Sequence, residues 1–305
     1  MRHFLNLMPH PPELLRDLLT NAARLKKAHE EGKDPNSLCG KVVGMVFEKP
    51  SLRTRVSFEA GIAQLGGTSI FIPGSEIQLG QRESLADFAR TMSQYVNGLV
   101  LRVFRQETCD EVSRFASVPV INGLSDISHP CQAMADLQTI EECFGTLDKK
   151  TVVFVGDGNN VARSLAVACG KMNMKFILAA PKGYEFEKDF LQRLSVKVNN
   201  ADIVETNDPI AAVKNADVIY TDVWTSMGQE AEREIRLKTF EPYQVNEKLL
   251  SKAPKHVRIL HCLPAHRGEE ISNGVLEGPA SVVFQQAGNR LHAQKAILEY
   301  LLGGK

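Results

Sequence analysis

"KVVGMVFEKPSLRTR", residues 41–55, decides the fold. It opens with a short apolar run rich in valine, 41–48, bounded by Gly40 and Pro50, the signature of a buried strand. A helical pattern takes over from about Thr54 to Gln64. Working outward, "TSIFI" (68–72), "GLVLRVF" (98–104) and "VPVIN" (118–122) read as further strands. Helical spacing fills 83–95 and 108–116 between them. A second alternating series starts at "KTVVFVGD" (150–157) and continues through 175–180, 201–206, 216–222 and 257–263. "SVVFQQAGNRLHAQKAILEYLL" is expected to close the chain with a strand and a helix of about four turns. The helix 131–144 bridges the halves, with Gly145 as its C-cap. Strands alternating with helices predict an α/β chain of two domains, each a mostly parallel sheet covered by helices on both faces. The expected domains are 1–145 and 146–285, with the last helix, 286–305, packing back onto the first.

A chain of 305 residues is about twice a typical domain, which agrees. Lysine plus arginine equals aspartate plus glutamate, 36 of each, which argues against nucleic acid as the main partner. Six cysteines without a C-x-x-C pair read as reduced thiols in a cytosol-like compartment. No stretch approaches the roughly 18 apolar residues of a membrane span. The start, "MRHFLNLMPHPPELL", lacks a signal peptide's basic end and apolar middle. A soluble, cytoplasmic protein is expected.

In open parallel sheets, ligands bind outside the carboxyl ends of the strands, so the residues following each strand matter most. After 41–48 come Ser51, Leu52, Arg53, Thr54 and Arg55. A helix starting there offers free N–H groups and its positive dipole end to an anion, and arginine in a first turn needs a negative neighbour. Its guanidinium forks match phosphate oxygens. The bland alternative is a solvated first turn capped by Ser51. Arg102 ends another strand, which favours the anion site.

His129-Pro130-Cys131-Gln132 puts an imidazole and an amide at a helix start, with Pro130 suited to the first helical position. Metal binding through Cys131 lacks partners at three- or four-residue spacing. "VVFVGDGNNVARSL" (152–165) is a partial dinucleotide fingerprint: Gly156 and Gly158 fit, but the third glycine position falls on Val161. Ala180 stands where an acidic ribose-binding residue is wanted, so a nicotinamide cofactor is the weaker reading. Asn159 and Asn160 offer amides to a carboxylate or amide instead. Asp222, in "TDVWTSMGQE" (221–230), could bind an ammonium; the alternative is an ordinary surface loop. Cys262 beside His261 suggests a nucleophilic thiol, but neighbours in a strand face opposite ways.

Together these segments resemble the aspartate/ornithine carbamoyltransferase family nearly end to end. Its S-x-R-T-R signature appears as Ser51–Arg55, its H-P-x-Q as His129–Gln132, its D-x-x-x-S-M-G as Asp222–Gly228 and its H-C-L-P as His261–Pro264. The last two mark the ornithine branch. The resemblance implies a carbamoyl-phosphate-binding first domain, a Rossmann-like second domain binding ornithine, and carbamoyl transfer to the δ-amine to give citrulline in arginine metabolism. It implies a homotrimer or a multiple of one, with sites at subunit boundaries, and neither metal nor organic cofactor. Carbamoyl phosphate would be held by Ser51, Leu52, Arg53, Thr54, Arg102, His129, Pro130, Cys131 and Gln132, by Gln78 from a neighbouring subunit, and by Cys262, Leu263 and Arg290. Ornithine would be held by Asn160, Asp222, Ser226 and Met227. Arg102, His129, Asp222 and Cys262 are the expected catalytic residues. Leu52 departs from the polar residue frequent at its position, leaving a backbone N–H to serve there.

Overall fold

The computed structural model describes residues 2–225 and 230–303, which leaves Ser226 and Met227 outside the described residues. The chain forms two compact units. One runs from the N-terminus to Gln138 and takes in the chain from Gly288 onward; the other is Thr139–Ala287. Both boundaries fall inside helices, Pro130–Phe144 and Val283–Leu302. The first of these is closed by Gly145, whose left-handed φ of 70° lets its N–H reach Glu141 O at 2.8 Å.

The first unit is built on β1 (Val42–Phe47), β2 (Thr68–Pro73), β3 (Gly98–Arg102) and β4 (Val120–Leu124), in the order β2-β1-β3-β4, all parallel. β3 is buried along its whole length and β1 nearly so, because helices cover both faces of central parallel strands. β2, at the edge, is only partly buried. The second unit holds β5 (Thr151–Val155), β6 (Lys175–Ala179), β7 (Asp202–Thr206), β8 (Val218–Thr221) and β9 (Arg258–His261). Their order, β7-β6-β5-β8-β9, is again all parallel and doubly wound. In each sheet the order reverses beside the first strand, between β1 and β3 and between β5 and β8. Such a switch point opens a crevice at the carboxyl ends. Ser51–Arg55 and Arg102 follow the first pair; Asn159, Asn160 and Asp222 follow the second.

Two expectations are corrected. "SVVF" at 281–284 forms no strand: Ser281 makes a single bridge to Ile259, and the helix starts at Val283. That helix runs 20 residues, about five and a half turns rather than four. The β-branched pair favours a strand locally, but Val283 is fully buried in the second unit's core and Gln286 N–H already bonds Val282 O at 2.9 Å. Packing overrides propensity here. The N-terminal helix Pro12–Glu30 is absent from the sequence reading, although Leu15, Leu18, Leu19, Ala22 and Leu25 recur on one buried face. No helix among the described residues is long and apolar enough to cross a membrane.

Candidate active site

In the first unit, Ser51 caps the helix Leu52–Gln64, accepting from Thr54 N–H at 3.3 Å. Thr54 is fully buried. Its Oγ1 accepts from Arg102 Nη1 at 3.1 Å and from Arg290 Nη2 at 2.7 Å, and lies 2.9 Å from Ser51 Oγ. A hydroxyl has two acceptor lone pairs and one proton. Two guanidiniums fill the lone pairs, so Thr54 turns its own proton to Ser51 Oγ, and the Ser51 proton is released to a further acceptor. Arg290 Nη1 also reaches Gln132 Oε1 at 3.3 Å, while Gln132 Nε2 donates to the buried Asp136 at 2.8 Å. The Gln132 amide is thereby oriented.

Two buried guanidiniums on one neutral hydroxyl repel each other, and an anion between them relieves the repulsion. His129 is buried beside them. Burial first, then Arg290 and Arg102, hold its pKa well below the ordinary histidine value, so the ring is a neutral imidazole. Arg55 pairs with Glu59 at 3.1 Å and lies 3.7 Å over the Phe71 ring, bracing the helix. Arg53, in the first turn of that helix, is exposed.

The neighbours offer less. The buried Cys131 thiol donates to Asn122 O at 3.5 Å and is pushed up to about 12 by burial, so Cys131, like Pro130, can present only main chain to a ligand. Leu52, 74% exposed, likewise contributes its place in the N–H-bearing first turn. Gln78 is exposed, in a left-handed conformation after the short helix Gly74–Ile77, and does not join this cluster.

The second unit gathers opposite chemistry. Asp222 Oδ2 accepts from Asn159 Nδ2 at 2.9 Å; Oδ1 accepts from Val223 N–H at 2.8 Å and from the Cys262 thiol at 2.9 Å. Asn159 caps the helix Asn160–Lys171, its oxygen accepting from Val161 and Ala162 N–H. The amide is thus fixed at both ends, oxygen to the helix and NH₂ to the carboxylate. Sequence reading left Asn159 a generic amide; its spacing alone could not show that it orients Asp222. Asn160 is half-buried at the first helical position, its Oδ1 3.0 Å from Val161 N.

Beyond β9 the chain turns at Leu263, whose N–H donates to His261 Nδ1 at 2.8 Å. Nδ1 therefore accepts, and His261 Nε2–H donates to the equally buried Glu270 at 3.1 Å. His261 and Cys262 face different partners and form no catalytic pair. Asp222, His261 and Cys262 bring ligand-type atoms within 4.8 Å of one another, but both imidazole nitrogens are already engaged. His266, Glu269 and Glu270 do likewise, with Arg233 already paired to Glu269.

The glycines of "GDGNN" have local explanations. Gly156 sits at φ 148°, where side chains are strained. A Cβ on Gly158 would lie 3.0 Å from the Glu185 backbone, and Gly158 N–H is spent on Tyr184 O at 2.9 Å. The second glycine therefore accommodates the chain's own backbone.

Fold and side chains together define a protein of two doubly wound units, one arming its switch point with cations and the other with a carboxylate and a thiol. The chain belongs to the aspartate/ornithine carbamoyltransferase family. Residues 2–142 match the family's carbamoyl-P binding domain and residues 148–301 its Asp/Orn binding domain. It is 50% identical to the ornithine carbamoyltransferase of Oceanobacillus iheyensis, across 99% of this chain and 94% of that one. It is 48% identical to that of Anoxybacillus flavithermus, across 99% and 96%. The solved ornithine carbamoyltransferase of Pyrococcus furiosus superimposes with a TM-score of 0.96 at 46% identity, covering 100% of this chain and 98% of that one.

Proposed function

We infer that the protein transfers the carbamoyl group of carbamoyl phosphate to the δ-amine of L-ornithine, giving L-citrulline and phosphate. The observation that carries this reading is the Thr54–Arg102–Arg290–Gln132 cluster beside a neutral His129, in the segment matched by the carbamoyl-P binding domain. The phosphate takes the first-turn N–H groups, the freed Ser51 proton and Arg53. The carbonyl oxygen takes Arg102 and His129, with Thr54 holding the Arg102 guanidinium in place. As the amine nitrogen bonds to the carbonyl carbon, negative charge grows on that oxygen, and prepositioned donors stabilise it more than they stabilise the ground state. The carbon–oxygen bond to phosphate then breaks, and the departing phosphate takes the amine proton. Cys262 and Leu263, which follow β9, and Arg290 are read as the remaining contacts of carbamoyl phosphate.

Asp222 holds ornithine's ammonium, with Asn160, Ser226 and Met227 as the remaining contacts. A free δ-ammonium has a pKa near roughly 10.4, so it must shed a proton before attacking. Desolvation as the site closes disfavours the charged form, and that proton leaves to solvent before the attack. The reaction calls for no metal or organic cofactor.

The same reading includes a homotrimer, or a multiple of one. Leu52, Val56 and Ile70 are exposed apolar side chains on the helix Leu52–Gln64 and on the edge strand β2, a surface that suits a second copy of the chain, with Gln78 reaching the neighbour's site. None of the six cysteines is in a disulfide, which suits a cytoplasmic setting.

The test is citrulline and phosphate release with carbamoyl phosphate and a panel of ornithine, acetylornithine, putrescine and aspartate. One citrulline per phosphate, from ornithine only, is expected. Turnover with another amine instead would overturn the acceptor assignment while sparing the donor site.

A further inference from the structure

Arg236 is a buried cation that the residues assigned above leave unused. Arg236 lies on the helix Arg233–Phe240, and its side chain is 4% exposed. Its Nε donates to Trp224 O, in the loop after β8, and its Nη2 pairs with Asp157, in the loop after β5. The guanidinium lies 4.9 Å over the Tyr184 ring and 5.3 Å over the Phe240 ring, which fixes its plane. Each loop it grips carries part of the amine-binding set. Asn159 and Asn160 lie two and three residues after Asp157, and Asp222 lies two before Trp224. Asp157 and Asp222 are close enough for the second to raise the pKa of the first, in the same direction as burial, against the pull of Arg236 and Arg163. Without the guanidinium, two carboxylates would face each other across these loops.

We propose that Arg236 is a positioning residue for the amine substrate, clamping the loops after β5 and β8 so that Asn159, Asn160 and Asp222 hold their places. It touches no substrate. The inference rests on reading ornithine as the acceptor.

The test compares wild type, Arg236→Leu and Arg236→Lys, using citrulline formation and the emission of Trp224, the only tryptophan. Arg236→Leu is expected to raise KM for ornithine at least about tenfold while KM for carbamoyl phosphate stays within about twofold. It is also expected to change Trp224 emission and weaken its response to added ornithine. Arg236→Lys, with one ammonium for Trp224 O, Asp157 and Glu232, should fall between. Should Arg236→Leu fail to fold, Arg236→Leu with Asp157→Asn removes the stranded carboxylate. The ornithine KM should still be raised in that double variant, because Trp224 O remains unheld. Unchanged KM for ornithine, or both KM values rising together with wild-type emission, would overturn the proposal. Wild-type protein making no citrulline from ornithine would instead overturn the functional reading.

Discussion

The cluster after β1 and β3 and the cluster after β5 and β8 follow one plan with opposite charge. In the first, two guanidiniums converge on a neutral hydroxyl and beside a neutral imidazole. In the second, one carboxylate is held by an amide, a backbone N–H and a thiol. In each, neutral groups help to orient a charge that suits a ligand of the opposite sign. The same switch-point geometry thus serves an anionic donor in one unit and a cationic acceptor in the other. The charge comes from side chains that the strands merely place.

The sharpest way to break the comparison is to remove charge from one cluster and read the other. Arg102→Leu should lower kcat about a thousandfold, since on the proposed function it deletes a donor to the developing oxyanion. Because it also relieves repulsion with Arg290, urea unfolding should show little loss of stability. Asp222→Asn should lower kcat/KM for ornithine on the order of a hundredfold, with carbamoyl phosphate affinity by calorimetry within about twofold of wild type. A comparable loss on both substrates would mean the two clusters do not divide the labour as described.

Smaller effects test how the first cluster is held. Thr54→Val strands two guanidiniums and should cost about 1–3 kcal/mol in urea unfolding. Ser51→Ala removes the cap and the hydroxyl bond to Thr54 but strands no charge, and should cost about 1 kcal/mol. Equal costs would refute Thr54 as the hub.

The smallest effect is in pH. His129 has a depressed pKa in the folded chain, so below about 6.5 the unfolded chain takes up a proton that the folded one refuses. Stability from this group should fall as pH drops through that range, by at most about 1.4 kcal/mol per unit, and His129→Gln should flatten that slope. An unchanged slope in the variant would show that His129 is not the group responsible.

Most strands and their parallel pairing were legible because a central parallel strand is a continuous apolar run, as 98–102 and 151–155 are. The edge strand 202–206 was legible by its β-branched content rather than by burial. The failure at 281–284 came where a short β-branched run met a core that needed Val283 on a helix. Polar residues clustered in short motifs, such as Ser51–Arg55 and His129–Gln132, stood out from their neighbours in the chain. Asp157, Arg236 and Glu270 did not. Arg236 sits in "EAEREIRLK", which reads as a solvated charged helix, and its partners are 12 and 79 residues away.

By itself, then, the sequence determined the alternation of strands and helices, the two sheets, and which polar side chains stand at strand ends. Those are local matters of periodicity and of what a backbone of that period exposes. Only the tertiary structure decided that Thr54 serves two guanidiniums from β3 and the last helix, that Asn159 orients Asp222, and that Gly158 yields to Glu185. Each depends on groups far apart in sequence meeting within about 3 Å, where a hydrogen bond forms or a Cβ no longer fits.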